Sequence, residues 1–124
     1  MPASSFRRWA AAALFAGVTI GWISAPHSQE AAERTITVVA RKYAFSPAVI
    51  EVDQNDLVRL ALSTDDIPHS FTVDKYRIAK RVESGKPVVF EFRADQPGRF
   101  PIYCNLAIDE RCRDMKAELI VKAR

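Results

Sequence analysis

The chain has 124 residues, 48% of them hydrophobic, which suits one domain with a packed core. Eighteen Lys and Arg against fifteen Asp and Glu give a net charge of +3, and from Ala31 onward the count is sixteen against fourteen. That near balance, with no basic run interleaved with aromatics, excludes a nucleic-acid footprint, although a mildly positive surface can still steer an acidic partner.

The N-terminal segment reads as export. Arg7 and Arg8 precede an uncharged run, Trp9–Ala25, rich in Ala, Leu, Phe and Ile. Such a run suits the apolar core of a signal peptide and is also just long enough to span a bilayer as a helix. Ile23-Ser24-Ala25 offers a cleavage site, but Pro26 behind it disfavours cleavage, and Trp9 and Trp22 suit the two interfaces of a retained anchor. Both outcomes stay open, and both put the domain in the periplasm or on the outer face of the cytoplasmic membrane. A polar linker, Ala25–Glu33, holds His27, so the chain divides into residues 1–33 (leader and linker) and 34–124 (folded domain).

From Arg34 the pattern is strands and turns. Strands are expected at Thr35–Lys42, Ala48–Val52, Leu57–Leu62 (with Arg59 pointing out), Ser70–Val73, Pro87–Arg93, Arg99–Tyr103 and Lys116–Lys122. Turns are expected at Tyr43–Pro47, Asp53–Asn55, Asp65–Pro68, Glu83–Lys86 and Asp95–Gly98, where Gly, Pro, Asn and Asp supply turn chemistry. Seven short strands at even spacing, with no helix beyond the leader, predict an all-β, antiparallel Greek-key sandwich preceded by an N-terminal apolar helix. Phe71, Phe90, Phe92, Phe100 and Tyr103 are assigned to its core.

Both cysteines and one of the two methionines fall in a single loop between two strands. Cys112 and Met115 follow Cys104 at i+8 and i+11. Soft sulfur donors gathered in this way suit a soft metal, chiefly copper. A Cys104–Cys112 disulfide stapling an exported domain accounts for the same cysteines without metal. His69, the one histidine of the folded part, sits where one strand breaks and another starts; alone it reads as an exposed turn residue, and beside the sulfur cluster it becomes a fourth candidate ligand. Asp65 and Asp66 read as turn formers or part of a docking face, and Asp109–Asp114 as a solvated loop. There is no Ser/His/Asp set, no carboxylate pair with a catalytic reason and no Gly-rich phosphate loop, so the expectation is that the chain is not an enzyme. Thiol–disulfide catalysis fits poorly, because the cysteines lack C-x-x-C spacing.

DDIPHSF, PGRFPIYC and the closing M-x-x-E-L-I-V together resemble the cupredoxins, nearest to the copper domain of cytochrome oxidase subunit II and nitrous oxide reductase. The resemblance runs from about Arg34 to Arg124 and includes VDKYRIAKRVESG after the histidine. In that family the ligand loop reads C-x3-C-x3-H-x2-M. Cys104 and Met115 match its first and last members, and His69 matches the upstream histidine. Ile108 stands where the second bridging cysteine belongs, Cys112 where the second histidine belongs, and Leu106 where a glutamate belongs. Neither the dinuclear nor the mononuclear blue site of the family can form within one such chain. What remains is a His69-Cys104-Cys112-Met115 set whose softness favours Cu(I), one ion per chain. The resemblance implies an envelope copper protein that carries electrons or hands over copper, with a redox or copper-transfer protein as partner. The alternative is a metal-free accessory domain of the same shape, closed by the disulfide.

Overall fold

The computed structural model describes residues 12–22 and 32–124. Nine strands form two sheets: β1 (Glu33–Arg41), β2 (Ala44–Ser46), β3 (Val49–Asp53), β4 (Leu57–Thr64), β5 (His69–Val73), β6 (Ile78–Val82), β7 (Val88–Arg93), β8 (Gly98–Tyr103) and β9 (Lys116–Lys122). The four-stranded sheet runs β2-β1-β4-β7, and the five-stranded sheet β3-β9-β8-β5-β6. Two short 3-10 turns, Asp74–Tyr76 and Glu110–Asp114, are the only helical elements among the described residues.

The strands follow from alternation. In β4, Val58, Leu60, Leu62 and Thr64 are buried while Arg59 faces out, the period of a sheet with one face on the core. Phe71 of β5 links the sheets, its ring 5.9 Å from Phe45 in an edge contact and 5.9 Å from Phe90. Phe92 and Tyr103, expected in the core, are only half-buried; the Tyr103 hydroxyl donates to Asp74 at 2.8 Å. At one pole Asp56, fully buried, accepts from Arg34 at 3.3 Å and Arg124 at 2.9 Å, tying the first and last strands. The Asp53–Asn55 turn beside it closes with Asn55 left-handed, φ 70°, a conformation asparagine tolerates.

The sandwich is as expected, but not purely antiparallel. β1 pairs with β4 in parallel over Glu33–Ala40, and β3 with β9 in parallel. The chain leaves β1 through the β2 hairpin, crosses to the other sheet as β3 and returns as β4, so β4 runs the same way as β1. Two strands escaped the sequence pattern. Ala44–Ser46 was expected as turn; it is a three-residue edge strand cut short before Pro47. Ile78–Val82 is also an edge strand, with Ala79, Lys80 and Arg81 all exposed, so it shows no period of two. The expected N-terminal helix over Trp9–Ala25 lies partly outside the described residues. Its described part, residues 12–22, carries no assigned strand or helix, and Leu14, Phe15 and Trp22 are each at least 95% exposed. No helix among the described residues is long and apolar enough to cross a membrane.

Candidate metal centre

The pole opposite Asp56 carries the sulfur loop. Tyr103, the last residue of β8, pairs with Thr72 of β5 and with Lys116 of β9. Cys104 therefore emerges beside the start of β5, where His69 sits, and Met115 closes the loop just before β9. All four candidate ligands are buried: His69 is 1% exposed, Cys104 0%, Cys112 2% and Met115 0%. His69, which taken alone would read as an exposed turn residue, is the first residue of β5, paired with Val82.

Cys104 and Cys112 are joined in a disulfide, with Cα atoms 5.2 Å apart. In this state neither sulfur is a thiolate, the form a metal binds. Among the described residues no three His, Cys, Asp or Glu side chains are grouped as a metal ion requires. The surroundings nevertheless suit thiolates. The Ser70 N–H points at Cys104 Sγ at 3.4 Å, and the Leu106 N–H at Cys112 Sγ at 3.3 Å. Donors aimed at sulfur stabilise its anionic form. Leu106, noted in the sequence only as a missing glutamate, contributes through its backbone.

His69 is prepared in a complementary way. Its Nε2 lies 2.7 Å from Asp66 Oδ1. Burial pushes the Asp66 pKa up, but the Lys42 and Ile67 N–H groups, the His69 ring and the Thr64 hydroxyl outweigh it and hold the carboxyl well below the usual carboxylate range. An ionised Asp66 accepts from Nε2–H, so Nδ1 is the ring nitrogen that a ligand could use. Asp66 was read from sequence only as turn or docking residue; its place three residues before His69 was the available signal.

The loop is held from outside as well. Ser70 Oγ bonds Asn105 Oδ1 at 2.7 Å and accepts the Asn105 N–H at 2.8 Å, pinning the residue after Cys104 to β5. Asp109 caps the 3-10 turn by accepting the Arg111 N–H at 2.9 Å and also accepts the Tyr43 hydroxyl at 2.9 Å. The Arg111 N–H and the Tyr43 hydroxyl keep the Asp109 pKa below its ordinary value. The Arg111 guanidinium lies 4.2 Å from the centre of the Tyr43 ring. Part of the loop expected to be solvated is thus anchored, although Glu110, Arg113 and Asp114 are exposed. Ile108, in place of the family's second cysteine, is 63% exposed, whereas Cys104 and Cys112 are buried. A cleft of about 540 Å³ opens beside Cys104, lined among others by Asn105, Leu106, Glu110 and Arg113.

The cupredoxin-like domain family model matches residues 12–121. The chain belongs to that family. The nitrous-oxide reductase of Cupriavidus necator is 28% identical over 93 residues, covering 72% of this chain and 14% of the reductase. The chain thus spans about one seventh of that relative's length. Among solved structures, the periplasmic domain of cytochrome oxidase subunit II (CoxB) of Bradyrhizobium japonicum superposes with a TM-score of 0.64 at 14% identity, over 73% of this chain and 84% of that one. Subunit II of cytochrome c oxidase in a mixed disulfide intermediate with a thioredoxin-like protein gives a TM-score of 0.62 at 15% identity, over 73% and 82%. A copper nitrite reductase from Nitrosomonas europaea also superposes, with a TM-score of 0.64 at 21% identity, over 74% of this chain and 42% of that one. At those identities the structural likeness speaks for the fold alone.

Proposed function

We propose that this chain is a copper-binding protein of the bacterial envelope. In this reading its reduced form holds one Cu(I) through His69, Cys104, Cys112 and Met115, for transfer to a partner or for electron transfer, without catalysis of its own. The observation that carries it is the pair of backbone N–H groups, from Ser70 and Leu106, aimed one at each sulfur. Both N–H groups would stabilise a thiolate more strongly than the neutral disulfide sulfur they meet here. The Asp66–His69 pair supports the same reading, because it leaves Nδ1 for a ligand. Bound copper would supply a one-electron couple between Cu(I) and Cu(II).

The protein's own chemistry comes first. The disulfide must take up two electrons before either sulfur can bind, and a dithiol protein partner of the envelope is the natural donor. The mixed disulfide between subunit II and a thioredoxin-like protein is the precedent among structural neighbours. The partner's thiolate attacks one sulfur, the other leaves as thiolate, and the partner's second thiol closes the partner's own disulfide. Periplasmic placement is part of the proposal; it draws on the leader residues 9–25 and on the relative described as a periplasmic domain.

The second reading is a metal-free accessory domain, favoured by the disulfide itself. Metal analysis and a thiol count on oxidised and reduced protein separate the two. The proposal expects one copper per reduced chain with both thiols protected from alkylation, and neither copper nor reactive thiol in the oxidised chain. Reduced protein that takes up no copper leaves the accessory domain as the answer.

A further inference from the structure

The net charge of this chain is concentrated in one place. Asp74–Lys86 carries five cations, Lys75, Arg77, Lys80, Arg81 and Lys86, against two acids, Asp74 and Glu83. That segment alone carries the net charge of +3; taking five from eighteen and two from fifteen leaves thirteen Lys and Arg against thirteen Asp and Glu elsewhere. In the fold it becomes the 3-10 turn Asp74–Tyr76, the edge strand β6 and the turn that follows. All five cations are exposed.

Little inside the molecule neutralises them. Glu83 serves both Arg81, at 3.3 Å, and Lys86, at 3.8 Å. Asp74 is engaged by the Tyr103 hydroxyl at 2.8 Å. Lys75, Arg77 and Lys80 make no ion pair among the described residues, and the Lys80 ammonium lies over the Phe90 ring at 5.5 Å. Beside the turn a cleft of about 470 Å³ is lined by Lys75, Arg77 and Arg93, the rings of Tyr76 and Phe92, and one carboxylate, Asp95. Arg93 has its guanidinium committed to a neutral acceptor, the Asn55 carbonyl at 2.9 Å.

We infer that the β6 edge with this cleft is a docking surface for an acidic protein partner. It is separate from the sulfur loop and does not depend on the copper reading. The cations run from the 3-10 turn, through a five-residue strand of roughly 17 Å that itself carries Lys80 and Arg81, to the turn that follows, too long for one small anion to span. A second copy of this chain would bring like charge to like charge, and Lys and Arg on an edge oppose strand pairing. A membrane surface fits less well, because no exposed large apolar side chain lies within residues 74–86 to enter it. Several carboxylates on one protein face satisfy both the strip of charge and the concave seat beside it. Such a surface acts mainly on association rate and orientation, and its far end, Val82, pairs with His69, so a partner seated there borders the candidate metal centre.

The test uses isotope-labelled full chain and a ten-residue glutamate peptide as probe, with a glutamine peptide of equal length as control. At low salt, amide shifts should cluster in residues 74–86 and around Phe92–Gln96, and the glutamine peptide should give none. Binding should weaken at least tenfold between about 20 and 200 mM salt, as screening requires. The double variant Lys75→Glu/Arg77→Glu should lose at least tenfold in affinity, while Arg99→Glu/Lys122→Glu, equal in charge change but on β8 and β9, should change it less than twofold. Lys75→Gln/Arg77→Gln guards against misfolding of the charge swap and should fall between. Equal losses from both double swaps, shifts scattered over the whole surface, or stronger binding to phosphatidylglycerol vesicles than to the glutamate peptide would each overturn the inference.

Discussion

Reducing the Cys104–Cys112 bond should lower the stability of the domain by an amount set by the ring it closes. The two cysteines are eight apart, so the ring holds nine residues. Chain-entropy loss for a loop of that size corresponds to about 2.5 kcal/mol at room temperature. The folded part from Glu33 to Arg124 has about 90 residues, and at about 2.1 cal/mol/K per residue its unfolding entropy near the midpoint is about 0.19 kcal/mol/K. The melting temperature should therefore fall by roughly 10–15 °C. The loop keeps its other ties, Ser70–Asn105 and Tyr43–Asp109, so reduction should not unfold the sandwich. The assay is a thermal melt by circular dichroism in metal-free buffer with and without a phosphine reductant, with Cys104→Ser/Cys112→Ser as reference. Cu(I) held at one hundred times its dissociation constant should then return about 2.7 kcal/mol to the reduced protein, close to what was lost. A fall of less than about 3 °C on reduction, or an equal copper shift in oxidised and reduced protein, would refute this account of the loop.

Other outcomes follow from the same contacts. Asp66→Ala removes the acceptor of the Lys42 and Ile67 N–H groups, the Thr64 hydroxyl and the His69 ring; the side chain is 24% exposed, so water replaces part of the loss and the cost should be about 2–4 kcal/mol by denaturant melt, together with weaker copper binding. Phe71→Ala should cost about 3–5 kcal/mol in the same assay, because the ring sits between Phe45 and Phe90 in the centre of the core. Cys112→His should give a coloured Cu(II) form visible in the optical spectrum, since it restores a second imidazole beside one thiolate. Gly98→Ala should cost about 1–3 kcal/mol by the same denaturant melt, because φ is 139°, a backbone conformation that side-chain-bearing residues rarely adopt.

How far the structure could be foreseen depended on what each stretch had to satisfy. β4 and β8–β9 were legible because one face is buried and the other wet, which writes alternation into LVRLALST and KAELIVK. β6 was not, because an edge strand carries charge wherever it is exposed, and IAKRV then looks like loop. β2 was too short for any periodicity. The two parallel pairings depend on which strands cross between sheets, and strand patterns do not encode direction. At the candidate site, the four candidate residues stood out by type and spacing, and the disulfide was one of two readings the cysteines allowed. The supports did not stand out. Asp66 signals only by standing three residues before His69, Ser70 and Asn105 are ordinary polar residues whose role comes from long-range placement, and the N–H groups of Ser70 and Leu106 have no side-chain signature at all.

The central claim is that four side chains of this loop and strand hold one copper ion. X-ray absorption at the copper edge of the reduced, Cu(I)-loaded protein reads that shell directly. The account predicts sulfur scatterers near ~2.3 Å with one nitrogen near ~2.0 Å, distances typical of such ligands in metal sites, and loss of sulfur amplitude in Cys112→Ser. A shell of nitrogen and oxygen alone, or one unchanged by Cys104→Ser and Cys112→Ser, would contradict it.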